Sequence, residues 1–186
     1  MSERHQSIVE AASAVFSRYG VSRATMADIA NEAGVARQTV YNAYQNKDEL
    51  LCAVIRANGQ MTENKVLEGW ASSTSFEDKL EHFFQTGPLS WYDAIEASPD
   101  AADLIEGIHR VAALEIQEAS VRWNAHFTKL IQDHFDTGKL DTAALADFIY
   151  STALNAKSNV ANRSELEQRL ALLKESVVAL LAKSAR

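Results

Sequence analysis

At 186 residues and a formal net charge of −7, the chain suits one domain or two small ones and is too acidic to coat nucleic acid indiscriminately. Two prolines and seven glycines among abundant Ala, Leu, Glu and Lys, with no sustained apolar–polar alternation, indicate an all-α protein. A single cysteine, Cys52, excludes an intramolecular disulfide, and with no secretory leader and no apolar run approaching a membrane span, a cytoplasmic protein without membrane contact is expected.

From Glu3 to Tyr19, Ile8, Ala12, Val15, Phe16 and Tyr19 recur at helical spacing, and Gly20 ends the helix. Thr25 followed by Asp28 forms a capping box for a second helix with Ile29, Ala30 and Ala33 on its apolar side. Gly34 supplies the left-handed residue after it, and a third helix runs from Arg37 or Gln38 to Tyr44, with Val40, Ala43 and Tyr44 inward. The first helix should pack across this hairpin, because helices so short are marginal alone.

The other side of the third helix carries Arg37, Gln38, Thr39, Tyr41 and Asn42. Arg, Gln and Asn can make bidentate hydrogen bonds to base edges, Thr offers a hydroxyl or a methyl, and Tyr41 can donate to phosphate. A helix-turn-helix whose second helix bears such side chains can enter the major groove; the same hairpin without DNA is a common packing unit. The first 50 residues carry five basic against six acidic side chains, leaving most of the negative charge further on. A near-neutral head on an acidic body suits a few specific contacts.

Phe16, Tyr19-Gly20, Thr25, Ile29-Ala30, Ala33-Gly34-Val35, Thr39-Val40-Tyr41, Tyr44 and Lys47-Asp48-Glu49-Leu50-Leu51, in this order and spacing, resemble the N-terminal signature of TetR-type transcriptional regulators. The resemblance covers roughly the first third of the chain. It implies an all-helical homodimer that binds operator DNA through this segment and is released by a small molecule held in the C-terminal helical domain. It also implies that Lys47 meets phosphate; the alternative is a solvated surface lysine. Two positions depart from the pattern. Ala36 stands where a capping Ser or Thr is common, and Ala43 replaces a frequent phosphate-contacting side chain.

Asn46 with Glu49 caps a helix reaching about Ala71, in which Cys52 beside Leu50 and Leu51 reads as a small buried hydrophobe. This helix starts in the head and continues past it, a geometry that suits a switch. Ser72-Ser73-Thr74-Ser75 forms a linker, and Ser75 caps a helix with Leu80, Phe83 and Phe84 inward, interrupted at Gly87-Pro88. Leu89–Ala97 carries Trp91, Tyr92 and Ile95. Ser98-Pro99 opens another helix with Leu104, Ile105 and Ile108, which Gly107 bends or ends. A long helix follows from about Ile108 to His134 or Phe135, closed by Gly138.

Asp141 or Thr142 opens the next helix, with Leu145, Phe148, Ile149, Thr152, Ala153, Ala156 and Val160 along one side. Ser164 with Glu167 forms a capping box for the last one. There Leu166, Leu170, Leu173, Val177 and Leu180 make a narrow seam, while Leu172, Val178 and Leu181 add a second apolar strip. Two strips need two partners, so the last two helices are expected to dimerise as a four-helix interface through Leu145, Phe148, Ile149, Thr152, Leu166, Leu170, Leu173, Val177 and Leu180. Two heads about 34 Å or a multiple apart then read a palindromic double-stranded operator.

All three tryptophans and most phenylalanines lie between the head and these helices. Each reads most simply as core, but Phe84, Trp91, Tyr92, His109, Trp123, Phe127 and Asn155 are the candidates for lining an effector pocket. Glu106 and His109 make a single Glu-x-x-His pair, whereas di-metal bundles need two and further Glu, so no metal or cofactor is expected. Phosphate loops, nucleophile elbows and paired cysteines are missing, which argues against an enzyme. The expected organisation is a helix-turn-helix DNA-binding domain over residues 1–50 and a ligand-binding and dimerisation domain over 51–186. The candidate DNA contacts are Arg37, Gln38, Thr39 and Asn42 at or beside bases and Thr25, Tyr41 and Lys47 at phosphate. The competing reading is a helical small-molecule-binding protein or enzyme in which the hairpin only packs.

Overall fold

A computed structural model describes residues 3–98, 100–138 and 140–184, residue 184 by its backbone alone. Its order is α1 (Glu3–Tyr19), α2 (Met26–Glu32), α3 (Arg37–Ala43), α4 (Lys47–Ser72), α5 (Phe76–Phe84), a π-helical segment (Gln85–Leu89), α6 (Ser90–Glu96), α7 (Ala101–Val111), α8 (Ala113–His134), α9 (Thr142–Asn155) and α10 (Arg163–Ser184). The all-α expectation holds, with no strand among the described residues. No helix among them is long and apolar enough to cross a membrane. The helices group into two compact units, one from the N-terminus to Met61 with Ala94–Ile116, the other Thr62–Asp93 with the residues from Gln117 on. Residues of α4 contribute to both.

The first unit is organised around α1. Ile8, Ala12, Val15 and Phe16 are at most 1% exposed and meet Ile29 and Ala30 of α2, Val40 of α3 and Leu50 and Leu51 of α4 in one core. The boundaries follow local chemistry. Gly20 and Gly34 adopt φ of 78° and 65°, where a Cβ would be strained. The Thr25 hydroxyl accepts the Asp28 N–H, while the Asp28 carboxylate accepts from the Thr25 N–H and hydroxyl, so the expected capping box is complete. These bonds from Thr25 hold the Asp28 carboxyl below its usual range. At α4, Asn46 accepts the Glu49 N–H and Glu49 accepts the Gln45 N–H.

Segment 94–116 lies far along the chain from these helices yet packs with them. Gly107 does not end α7; a Cβ there would meet the Val21 side chain at 3.0–3.1 Å, so the glycine permits close approach. The expected continuous helix from Ile108 is broken instead at Ala112, whose side chain is fully buried and whose backbone (φ −96°, ψ 10°) leaves the helical region. Leu104 and Val111 pack on the first unit's core. Ion pairs join Arg23 to Asp100 and Arg110 to Asp48, both at 2.8 Å. The Asp103 carboxylate accepts from the Ser22 N–H at 2.8 Å and from its hydroxyl. Burial pushes the Asp103 carboxyl up, and the bonds from Ser22 and the Val21 backbone together with the nearby Lys47 charge more than reverse this. Pro99 lies outside the described residues.

The second unit is an aromatic core. Trp70, Phe83, Trp123, Phe127 and Tyr150 meet mainly edge-on or tilted at 4.9–6.3 Å, Trp123 and Tyr150 being stacked. Beside them the buried Glu63 carboxylate accepts from Arg122 and pairs with His126, both at 2.9 Å. Burial pushes Glu63 up, but the bonds from His126 and Arg122 leave it below the usual carboxylate range. Gly87-Pro88 does not interrupt the helix as expected. The backbone widens into the π-helical segment, which accommodates a proline that has no N–H to donate and would crowd the preceding turn.

The last helices also depart from expectation. α9 stops at Asn155, short of Val160, because the following turn takes Asn159 to φ 55°. Arg169 holds that turn by donating to the carbonyls of Ala156, Ser158 and Asn159. α10 is capped by Asn162 and Glu165, which accept from the Glu165 and Ala161 N–H groups, rather than by Ser164 and Glu167. Ser164 lies inside the first turn, and Glu167 pairs with Arg163.

Candidate nucleic-acid interface

α3 presents one side to the core, through Val40 at 0% exposure, and the opposite side to solvent. Arg37, Gln38, Tyr41 and Asn42 are exposed and Thr39 is half-buried. The four exposed side chains pair one turn apart. Arg37 donates to the Tyr41 hydroxyl at 3.2 Å, with its guanidinium carbon 5.3 Å from the ring centre. Gln38 donates to the Asn42 side-chain oxygen at 2.9 Å. Residues four apart on a helix are neighbours, so both pairs follow from spacing, and both limit the rotamers these long side chains explore before meeting a ligand.

The candidate phosphate contacts flank this surface with part of their capacity in use. The Lys47 ammonium donates to the carbonyls of Ser22 and Ala24 at 3.1 and 3.0 Å. An ammonium has three donors, so one remains beyond those that fasten the loop before α2. The Thr25 hydroxyl proton goes to Asp28 at 2.6 Å, so a bond from it to phosphate requires giving up that partner. Ala36 provides no side-chain cap to α3.

The candidate pocket residues are dispersed. Phe84, Trp123 and Phe127 are at most 5% exposed within the second unit's core; Trp91 and Tyr92 are half-buried. Asn155 is exposed and donates to the Ser151 carbonyl of its own helix. His109 belongs to the first unit and, like Glu106, is exposed. Sequence reading missed Glu63, Arg122 and His126, joined across about 60 positions with no local signal. It also missed Lys157, whose ammonium sits 3.5 Å from the centre of the Trp91 ring and is pushed down to about 8 by burial. Cys52 donates to the Val111 carbonyl at 3.4 Å, and burial raises its thiol, the opposite of what a reactive thiolate needs.

The expected dimer face changes composition as well. Leu145, Ile149, Leu166, Leu170, Leu173 and Val177 are at most 6% exposed within the chain itself, so they have no surface left for a partner. The seam closes internally because the chain's own apolar core, including Phe83, Phe84 and Ile131, occupies it. The surface left on α9 and α10 carries Phe148 (51% exposed), Leu172 (64%), Leu180 (41%) and the half-buried Thr152, while Leu181 takes the inner place expected of Leu180.

Residues 8–54 match the family described as bacterial regulatory proteins, tetR family. Over 53 residues the chain is 45% identical to the HTH-type transcriptional regulator TtgR of Pseudomonas putida, a match covering 28% of this chain and 25% of that protein. The fold as a whole is similar to a transcriptional regulator from Cytophaga hutchinsonii (TM-score 0.72, 17% identity, 96% of this chain and 97% of that one). It is also similar to the fatty acid degradation regulator FadR from Bacillus halodurans (TM-score 0.67, 22% identity, 97% and 96%). At such identities the structures share the fold alone.

Proposed function

We propose that this chain, whose residues 8–54 match the tetR family, is a sequence-specific DNA-binding transcriptional regulator, a repressor whose operator affinity falls when a small molecule binds its C-terminal helical domain. In this reading residues 1–50 bind DNA and 51–186 serve effector binding and dimerisation. The exposed polar face of α3 carries the proposal: two braced side-chain pairs on a helix whose other face is locked into a core. Arg37, Gln38, Thr39 and Asn42 reach bases or adjacent groups, and Tyr41, Lys47 and Thr25 reach phosphate. The reading assigns the chain no catalytic chemistry and no cofactor, and places it in the cytoplasm.

Two copies join through the outer face of α9 and α10, with Phe148 and Leu172 at its centre, and read a palindromic operator together. Effector release requires only that the ligand bind the operator-competent and operator-incompetent states with different affinities. The half-buried Trp91 and Tyr92 of the second unit supply candidate surface for it. FadR of Bacillus halodurans, by its name, regulates fatty acid degradation, and apolar chains are a first ligand class to screen here. A gel shift against the DNA upstream of the chain's own gene tests the function. A discrete complex that survives excess unrelated duplex supports it, and binding indifferent to sequence would falsify it.

A further inference from the structure

We infer that Gln38 reads an adenine in the major groove and that Asn42 is the positioning residue that sets its amide for that base; this rests on the DNA-binding reading above. The two side-chain amides together hold four N–H donors and two oxygens. One N–H of Gln38 is spent on the Asn42 oxygen at 2.9 Å, which leaves Gln38 with one N–H and its own oxygen for a base, a bidentate pair when the spent hydrogen is the one anti to that oxygen. Adenine presents the complementary pair, the N7 acceptor and the N6 amino donor. Guanine presents two acceptors, so the Gln38 oxygen would face O6. Cytosine presents only a donor there, and thymine one acceptor beside a methyl group.

Asn42 matters because an unbraced glutamine amide turns freely. With Asn42 held as it stands, rotating the Gln38 amide by half a turn would set its oxygen against the Asn42 oxygen and lose the bond, so the pairing holds the amide in this orientation unless both side chains turn together. The two N–H donors of the Asn42 amide suit a second, acceptor-bearing base beside the adenine. Arg37, braced by Tyr41, retains four N–H donors and stands one residue away as an independent reader.

The test selects binding sequences from random duplexes with the intact protein and with Gln38→Ala, Asn42→Ala and Asn42→Asp. Affinities are then measured at the one position that Gln38→Ala relaxes. The wild type should prefer adenine there by about 5- to 150-fold, the range of one good bidentate pair. Replacing that adenine by 7-deazaadenine should weaken the wild type and leave Gln38→Ala unchanged. Asn42→Ala should lose most of the adenine preference and relax the adjoining position, while the part of the motif that Arg37 reads persists. Asn42→Asp should keep the preference ratio, because its carboxylate also accepts from Gln38, although its charge lowers affinity for every duplex. All three exchanges are at exposed positions, and unchanged melting curves confirm the fold. A base other than adenine at that position, or full adenine preference in Asn42→Ala, overturns the inference and leaves DNA binding standing. Failure of the wild type to enrich any motif overturns the DNA-binding reading itself.

Discussion

Leu172 and Leu173 are neighbours in sequence and are expected to fail in opposite ways. Leu173 is 5% exposed and belongs to the core of its own unit; Leu172 is 64% exposed. Leu173→Ala leaves a cavity and should cost about 2–5 kcal/mol of folding free energy, lowering Tm by roughly 5–15 °C for a chain this size. Leu172→Ala removes little that the lone chain buries, so its monomer should be destabilised by no more than about 0.5 kcal/mol. In a two-fold dimer, burying the exposed two-thirds of each Leu172 is worth about 1–2 kcal/mol, hence roughly 2–4 kcal/mol for two copies and a roughly 30- to 1,000-fold weaker association. Sedimentation equilibrium and thermal unfolding at several protein concentrations separate the two effects, since dimer dissociation makes Tm depend on concentration. The reasoning fails if Leu172→Ala leaves the dimer constant unchanged, or if Leu173→Ala shifts association without lowering the melting temperature of the chain.

Three further expectations follow from the same geometry. Phe16, 1% exposed at the centre of the first unit, should on replacement by Ala cost about 3–5 kcal/mol and abolish operator binding by unfolding the head; lost binding with an unchanged melting curve would contradict this. Lys47→Ala should weaken binding to every sequence alike and flatten the slope of log affinity against log salt by about one unit per head, and a slope unchanged in salt titrations would remove Lys47 from the phosphate contacts. Lys157 binds its proton less tightly when folded, at about 8 against 10.5 for an ordinary lysine, so the folded state carries fewer protons between these values and stability should rise with pH across that window, by up to about 3 kcal/mol. Lys157→Met should lack this rise in denaturant titrations at about pH 8, 9 and 10, and an identical pH profile in wild type and variant would show that Lys157 does not carry it.

The residues themselves determined the head almost completely. Thr25-x-x-Asp28, Gly20, Gly34 and Asn46-x-x-Glu49 act through bonds or backbone angles within a few positions, so their consequences are local and readable in order. The i,i+4 pairs Arg37–Tyr41 and Gln38–Asn42 are of the same kind. What only the tertiary structure decided was partnership. Both apolar strips of α10 are visible in its sequence, but which one faces its own chain depends on what α5 and α9 bring to it, and the buried choice fell on Leu166, Leu170, Leu173, Val177 and Leu181. Likewise α7 belongs with helices some 80 positions earlier because Gly107 leaves room for Val21 and because Asp103 meets Ser22, and Glu63 finds Arg122 and His126 from a distant helix. Caps and turns are settled by neighbours in the chain, whereas the face a helix buries is settled by neighbours in space, which apolar spacing alone leaves unnamed.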